Sequence, residues 1–349
     1  MAEKKKNVVL LTPGFPENEK DTTCIPFLQQ YVRSFISLYP DIELRVIAFQ
    51  YPFKKGYYKW NGVSVYCAGG KGALYSRLFV WRNVLKELKR IQKQNDIAVI
   101  HSCWLTECAL IGQRFARKYN IKHIVYAIGQ DVLKSNRYIK LIDFSAMQVV
   151  AMSESVARRY HELTGYKVIS IIPAGIELEK VTMPNEPRTI DIIGTGALTP
   201  LKNYILFTEI ISILKKDFPG LKALIIGKGE QELLLKEKIK KEGLKDNIEL
   251  IGEIPHSEVF SYMNKSMIFL HTSSYEGQST VIMEALAMGL TIVCFDIGRV
   301  HHEKINVCGS KEEMVQKLKT LLSINLDFRP QILLSSEDTV KEFVKVYGL

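Results

Sequence analysis

The sequence predicts an α/β protein made of two tandem, doubly wound, Rossmann-like units. Three observations lead there. Short Val/Ile-rich runs alternate with helical patterns from one end to the other. The alternation breaks once, at "LEKVTMPNEPR" (Leu178 to Arg188), where two prolines and mixed charges mark a linker, and then restarts. With 349 residues, 47% of them hydrophobic, the chain is too long for one ordinary domain and well supplied for two cores.

In the first half the strand candidates are "NVVLLT", "ELRVIAF", "VSVY", "IAVIHS", "KHIVYAI", "MQVVAM" and "KVISIIP". Their nearly unbroken apolar character suits strands covered on both faces. Helical patterns run between them over Ile25 to Leu38, Ala73 to Gln94, Glu107 to Tyr119 and Ser153 to Leu163. The second half repeats the rhythm with "IDIIGTG", "LKALIIGKG", "NIELIG", "MIFLHTS" and "LTIVCFD". "EDTVKEFVKVYGL" closes the chain as an amphipathic helix. The expected organisation is a first unit over 1–177, a linker over 178–188, a second unit over 189–335, and a final helix over 336–349 that returns to the first unit. Ligands of open α/β sheets sit beyond the carboxyl ends of the strands, so the loops after strands, and a cleft between two such sheets, are where chemistry is expected.

Composition narrows the function. No apolar run is long enough to span a membrane. The opening "MAEKKKNVVLL" reads as a first strand, not a signal peptide, which places the chain in the cytoplasm. The six cysteines lack C-x-x-C spacing and read as free thiols, and His301-His302 as a surface pair, so no metal is expected. Charge is lopsided. Residues 1–176 hold 26 Lys and Arg against 13 acids, and the remainder 21 against 24. A basic half attracts phosphate-rich surfaces. Within it, the helix over 73–94 mixes Leu, Phe and Trp with Arg77, Arg82 and Lys86. Arg77, Trp81, Arg82 and Lys86 are therefore candidates to meet an acceptor or an anionic membrane, the alternative being an ordinary surface helix. Lys54, Lys55 and Lys59 interleave with Tyr57, Tyr58 and Trp60, a pattern also found in single-strand nucleic-acid binders; no nucleic-acid partner is expected here.

The most informative stretch is "SSYEGQSTVIMEALAMG" (Ser273 to Gly289), which carries Glu276 and Glu284 eight positions apart. On a helix that is about 12 Å, wider than the roughly 5–10 Å between glycosidase carboxylates. The separation suits a longer ligand with hydroxyls at both ends and a diphosphate between, such as a nucleotide-sugar. The helix N-terminus after Gly277 would face the phosphates, with Gln278, Ser279 and Thr280 in its first turn. The alternative is a helix cap and a solvated glutamate. A dinucleotide oxidoreductase ranks last, because neither "GTGALT" nor "GKGEQE" completes G-x-G-x-x-G.

The stretch resembles the E-x7-E signature of retaining glycosyltransferases of family 4, which have the GT-B fold. "IIGTGALTPLKNY", "ALIIGKGEQELLLKEKIKKEGLKDNIELIGEI", "VVAMSESVARRY" and "VISIIPAGIE" extend the likeness, strongest over Asp191 to Gly298. It implies a hexosyltransferase that moves a sugar from a UDP- or GDP-sugar to a saccharide or lipid-linked acceptor with retention. No cofactor or metal is implied, and surface polysaccharide or glycolipid assembly at the inner face of the cell membrane is. By this resemblance Glu276 lies beside the sugar, Glu284 on the ribose, Lys202 on the diphosphate, Gly196, Gly227 and Gly229 close to the nucleotide, and backbone at Glu253 and Ile254 on the base. Ala197 stands where the family usually has an arginine, leaving Lys202 without its cationic partner. Ile128 replaces a histidine in "AIGQD", which keeps Gly129 and Asp131. Asp131 would either touch sugar or acceptor, as a catalytic candidate with Glu276 and Lys202, or cap "VLKSNRYIK". The alternative function is a binding or scaffold protein of the same fold that has lost catalysis.

Overall fold

A computed structural model of the chain describes residues 6–71, 77–177, 187–296 and 302–349. It divides into two compact units, one of residues up to Gly175 together with Ser336–Leu349, the other Ile176–Ser335. Most of the expected linker, 178–186, the start of the basic helix, 73–76, and His301 lie outside the described residues.

The first unit contains strands β1 (Lys6–Gly14), β2 (Ile42–Tyr51), β3 (Gly56–Trp60), β4 (Val63–Cys67), β5 (Ile97–Cys103), β6 (Lys122–Ala127), β7 (Gln148–Ala151) and β8 (Ser170–Ile171). They form one sheet in the order β3-β4-β2-β1-β5-β6-β7-β8, parallel except for β3 on β4. Helices α1 (Pro26–Leu38), α2 (Arg77–Gln94), α3 (Glu107–Tyr119) and α4 (Glu154–Thr164) cover it. The apolar runs reach both faces by alternation. Val8 and Leu10 of β1 join the core under α1, while Val9 and Leu11 join the one under α2 and α3. The basic-aromatic stretch around Tyr58 is the edge strand β3: Tyr57 and Lys59 point out, and Trp60 is buried edge-on against Phe15. Its interleaving is thus the period of a strand.

The second unit contains β9 (Ile190–Thr195), β10 (Ala223–Ile226), β11 (Ile248–Gly252), β12 (Ser266–His271), β13 (Thr291–Phe295) and β14 (Ile305–Cys308), all parallel, in the order β11-β10-β9-β12-β13-β14. Helices α5 (Tyr204–Leu214), α6 (Glu232–Lys241) and α9 (Lys311–Leu322) pack on the face that carries Ile192. Helices α7 (His256–Asn264) and α8 (Thr280–Ala287) pack on the face that carries Ile193. The chain builds outward from β9 to β11 and then returns to place β12 beside β9. That reversal makes the β9/β12 boundary the switch point, beyond which such sheets bind ligands.

Helix α10 (Ser336–Tyr347) belongs to the first unit and lies on α1. Tyr347 fixes it there: its hydroxyl is 2.6 Å from both the Tyr31 hydroxyl and His101 Nδ1.

Candidate functional site

Two loops flank the switch point of the second unit. The first, Gly196 to Asn203, follows β9 and carries Lys202. The second, Thr272 to Ser279, follows β12 and carries Glu276. They are stitched together: Thr272 Oγ1 donates to the Lys202 carbonyl (3.0 Å), and the Ser274 N–H to that of Leu201 (2.8 Å). These bonds set Lys202 Nζ 2.5 Å from Glu276 Oε1, with both side chains largely shielded from solvent.

Glu276 Oε1 also accepts from Ser273 Oγ (3.0 Å) and lies 3.4 Å from His271 Nε2. Burial alone would raise the Glu276 pKa. The hydrogen bond from His271 and the Lys202 charge outweigh it and hold the carboxyl down at about 2. His271 is buried at the end of β12, and burial keeps it neutral by lowering its pKa. Its Nε2 is also 3.1 Å from Ser279 Oγ. That contact matters to α8. Ser279 is its N-cap residue, yet its hydroxyl is turned to His271, so the helix begins with no side-chain cap. The first turn of α8 thus carries the positive end of the helix dipole with no side-chain cap over it.

Glu284 lies in the interior of α8 and is 6% exposed. Its Oε1 accepts from His256 Nε2 at 2.9 Å. His256 opens α7, directly after Glu253, Ile254 and Pro255. The loop expected at the base edge is thereby tied to the glutamate expected at the ribose. Thr280 starts α8, and Gly277 is buried beside the Gln278 side chain, whose Nε2 is 2.8 Å from Met283 Sδ.

The glycines have an internal task. A Cβ on Gly227 would stand 1.9 Å from the Gly196 carbonyl oxygen, and one on Gly229 2.4 Å from that of Leu198. The loops after β9 and β10 cross backbone on backbone, with the Lys202 stem lying over Gly196. Lys202, Glu276, Gly196, Gly227, Gly229 and the start of α8 are therefore gathered at one end of this sheet, with the Glu253–Ile254 loop joined through Glu284.

Two site candidates of the first unit are already engaged within the protein. Asp131 is 3% exposed, and both its oxygens are occupied by backbone. Oδ1 accepts from Gly129 (2.7 Å) and Ile128 (3.1 Å), and Oδ2 from Leu105 (2.8 Å). It ties together the loops after β5 and β6. No helix follows for it to cap, since the segment forms 3-10 turns at Gln130–Val132 and Arg137–Lys140. Trp81 is half-buried: it donates its indole N–H to Glu107 Oε2 (2.6 Å) and lines one surface groove with Arg82 and Lys86. Arg77 sits over the Tyr138 ring at 5.9 Å, while Arg82 and Lys86 are exposed. Beside them Leu78 and Phe79 are 72% and 65% exposed.

Reading the sequence missed His271, Ser273 and His256. A signal existed for the first: a histidine closing a buried apolar strand, five positions before Glu276. Among the described residues no group of three or more His, Cys, Asp or Glu is placed to hold a metal ion, and no helix is long and apolar enough to cross a membrane.

Residues 179–324 match the family model of glycosyl transferases group 1. The chain is 26% identical over 245 residues to an uncharacterized glycosyltransferase of Haemophilus influenzae, covering 66% of this chain and 67% of that one. It is 34% identical over 105 residues to the amylovoran biosynthesis glycosyltransferase AmsD of Erwinia amylovora, a match that spans 30% of this chain and 29% of the relative. Among solved structures, Anabaena HepE in complex with UDP and glucose aligns with a TM-score of 0.70 at 14% identity, covering 98% of this chain and 95% of that one. Sucrose-phosphate synthase from Thermosynechococcus elongatus aligns with a TM-score of 0.71 at 13% identity, over 98% and 94%. These likenesses establish the expected fold, two Rossmann-like units of the GT-B class.

Proposed function

We propose, from the premise that residues 179–324 form a group 1 glycosyl transferase module, that the chain transfers a sugar from a UDP- or GDP-sugar to an acceptor hydroxyl with retention of configuration. The observation that carries this reading is the Lys202–Glu276 ion pair at the switch point, beside an α8 N-terminus without a side-chain cap. Lys202 has three N–H groups and spends one on Glu276, leaving the others for diphosphate oxygens. With the α8 dipole it offsets the charge that grows on the leaving group, the task a divalent metal performs elsewhere. In the step itself the bond from the sugar's anomeric carbon to phosphate breaks and a bond to the acceptor oxygen forms on the same face. The acceptor proton passes to the departing phosphate oxygen. Glu276, held ionised, orients the sugar and favours its developing positive charge. The UDP-bound neighbour supports a uridine nucleotide.

Calorimetry and turnover with UDP-, GDP- and ADP-sugars test this. One nucleotide class is expected to bind, with slow release of free sugar from it. No binding by any of them would sink the reading, and binding without turnover on a broad acceptor panel would favour a catalytically silent relative.

The acceptor is a saccharide or lipid-linked saccharide met at the inner, anionic face of a membrane, in surface polysaccharide or glycolipid assembly. Support comes from α2, where exposed Leu78 and Phe79 adjoin the cations Arg82, Lys86 and Lys89. The protein should float with vesicles of mixed phosphatidylglycerol and phosphatidylcholine, but not with phosphatidylcholine alone. Leu78→Ser with Phe79→Ser should abolish flotation at unchanged melting temperature. Equal flotation of that variant would remove α2 from the account.

A further inference from the structure

We infer that His256 is a positioning residue that sets the preference of the nucleotide site for an intact ribose, an inference that rests on the nucleotide-sugar reading above. Glu284 is a carboxylate in the middle of a helix whose neighbours Ile282, Met283, Ala285, Leu286 and Ala287 are all buried. A carboxylate so placed needs a fixed partner. Among the described residues His256 is that partner, through Nε2 to Oε1 at 2.9 Å, and no other described residue bonds the carboxylate. The imidazole donates from Nε2 whether it is neutral in that tautomer or protonated.

His256 is itself held firmly. It starts α7 directly after Pro255, and its ring packs on Phe260 one turn later, centroids 4.8 Å apart. Phe260 is in turn buried in the core shared by α7 and α8. The histidine therefore transmits the position of α7 to the carboxylate of α8. With Oε1 pinned, the carboxylate keeps one orientation, and on the nucleotide-sugar reading Oε2 and the remaining lone pair of Oε1 are what it offers the ribose. Two vicinal hydroxyls need that geometry, since each donates to one oxygen. A carboxylate free to rotate would bind a ribose and a 2′-deoxyribose with less distinction.

The probes are UDP and GDP with their 2′-deoxy counterparts, titrated calorimetrically into wild type, His256→Ala and His256→Gln, with melting temperatures of the unliganded proteins. Wild type should prefer the ribonucleotide by about tenfold, the worth of one charged hydrogen bond. His256→Ala should lose that preference while its affinity for the 2′-deoxynucleotide stays unchanged. His256→Gln, whose amide N–H can still reach Glu284, should restore part of it. With the sugar donor, KM should rise in His256→Ala at unchanged kcat. A purely structural role predicts instead that both nucleotides weaken together, and that outcome overturns the inference. So does a preference retained in His256→Ala. If wild type binds nucleotide without ribose preference, the inference falls and the nucleotide site stands; if wild type binds none, both fall. Should His256→Ala fail to fold, His256→Asn, too short to keep the Nε2 contact, takes its place.

Discussion

Glu276→Gln should leave the protein folded and lower turnover of the sugar donor by about 10²–10³-fold, the usual cost of removing one preorganised electrostatic group from a transition state. The substitution keeps the shape of the side chain. Its amide oxygen can still accept from Lys202 and Ser273, so the loops after β9 and β12 stay joined through Thr272 and Ser274, which the change does not touch. What disappears is the negative charge that His271 and Lys202 hold in place far below the usual carboxylate range. On the proposed function that charge faces the positive charge developing on the sugar, so the loss should fall on kcat. Donor KM should move little, because the groups proposed to bind the diphosphate, Lys202 and the α8 N-terminus, remain. Initial rates with the donor that wild type uses, paired with melting temperatures, measure both halves. A rate within about threefold of wild type at the same stability would mean that Glu276 does not face the reacting sugar.

Gly227→Ala should destabilise the second unit severely, by about 4 kcal/mol or more. Two effects act together. The residue has φ +145°, which L side chains rarely adopt, and the new methyl would meet a backbone oxygen, Gly196 O, at 1.9 Å. A backbone carbonyl cannot rotate away as a side chain would. Gly196 N–H also donates to Ile226 O, and Gly227 N–H to Gly252 O, so a shift would strain three adjacent strand ends. For a unit of this size such a loss corresponds to a fall in Tm of about 10 °C or more. Gly220→Ala is the control, since its Cβ would meet nothing within 4 Å and its φ is ordinary; it should be nearly neutral. A Gly227→Ala protein as stable as that control would show that the two loops do not cross in this way.

Much of the fold was legible because buried parallel strands write themselves as unbroken apolar runs. β1, β2, β5 and β9 to β13 were read directly, and α3 from Glu107 to Tyr119 to the residue. β3 was not, because an edge strand alternates, and its outward Tyr57 and Lys59 resemble a binding stretch when read as composition. The internal bonds of Asp131 and Trp81 were not legible either. A carboxylate or an indole with a polar atom looks available in a sequence, but Leu105 occupies Asp131 and Glu107 occupies Trp81 from 26 positions away in each case.

The sequence by itself determined the two α/β units, the break between them, and the loop-and-helix carrying Glu276 and Glu284, because these depend on periodicities and turn residues within a few positions of one another. Only the tertiary structure decided which groups those glutamates meet. Lys202 reaches Glu276 from 74 positions away because β9 and β12 are neighbours in the sheet, and His256 reaches Glu284 from 28 positions away because α7 and α8 share one face of it. Strand order and helix packing are cooperative outcomes of the whole core, and no local pattern encodes which loop ends beside which.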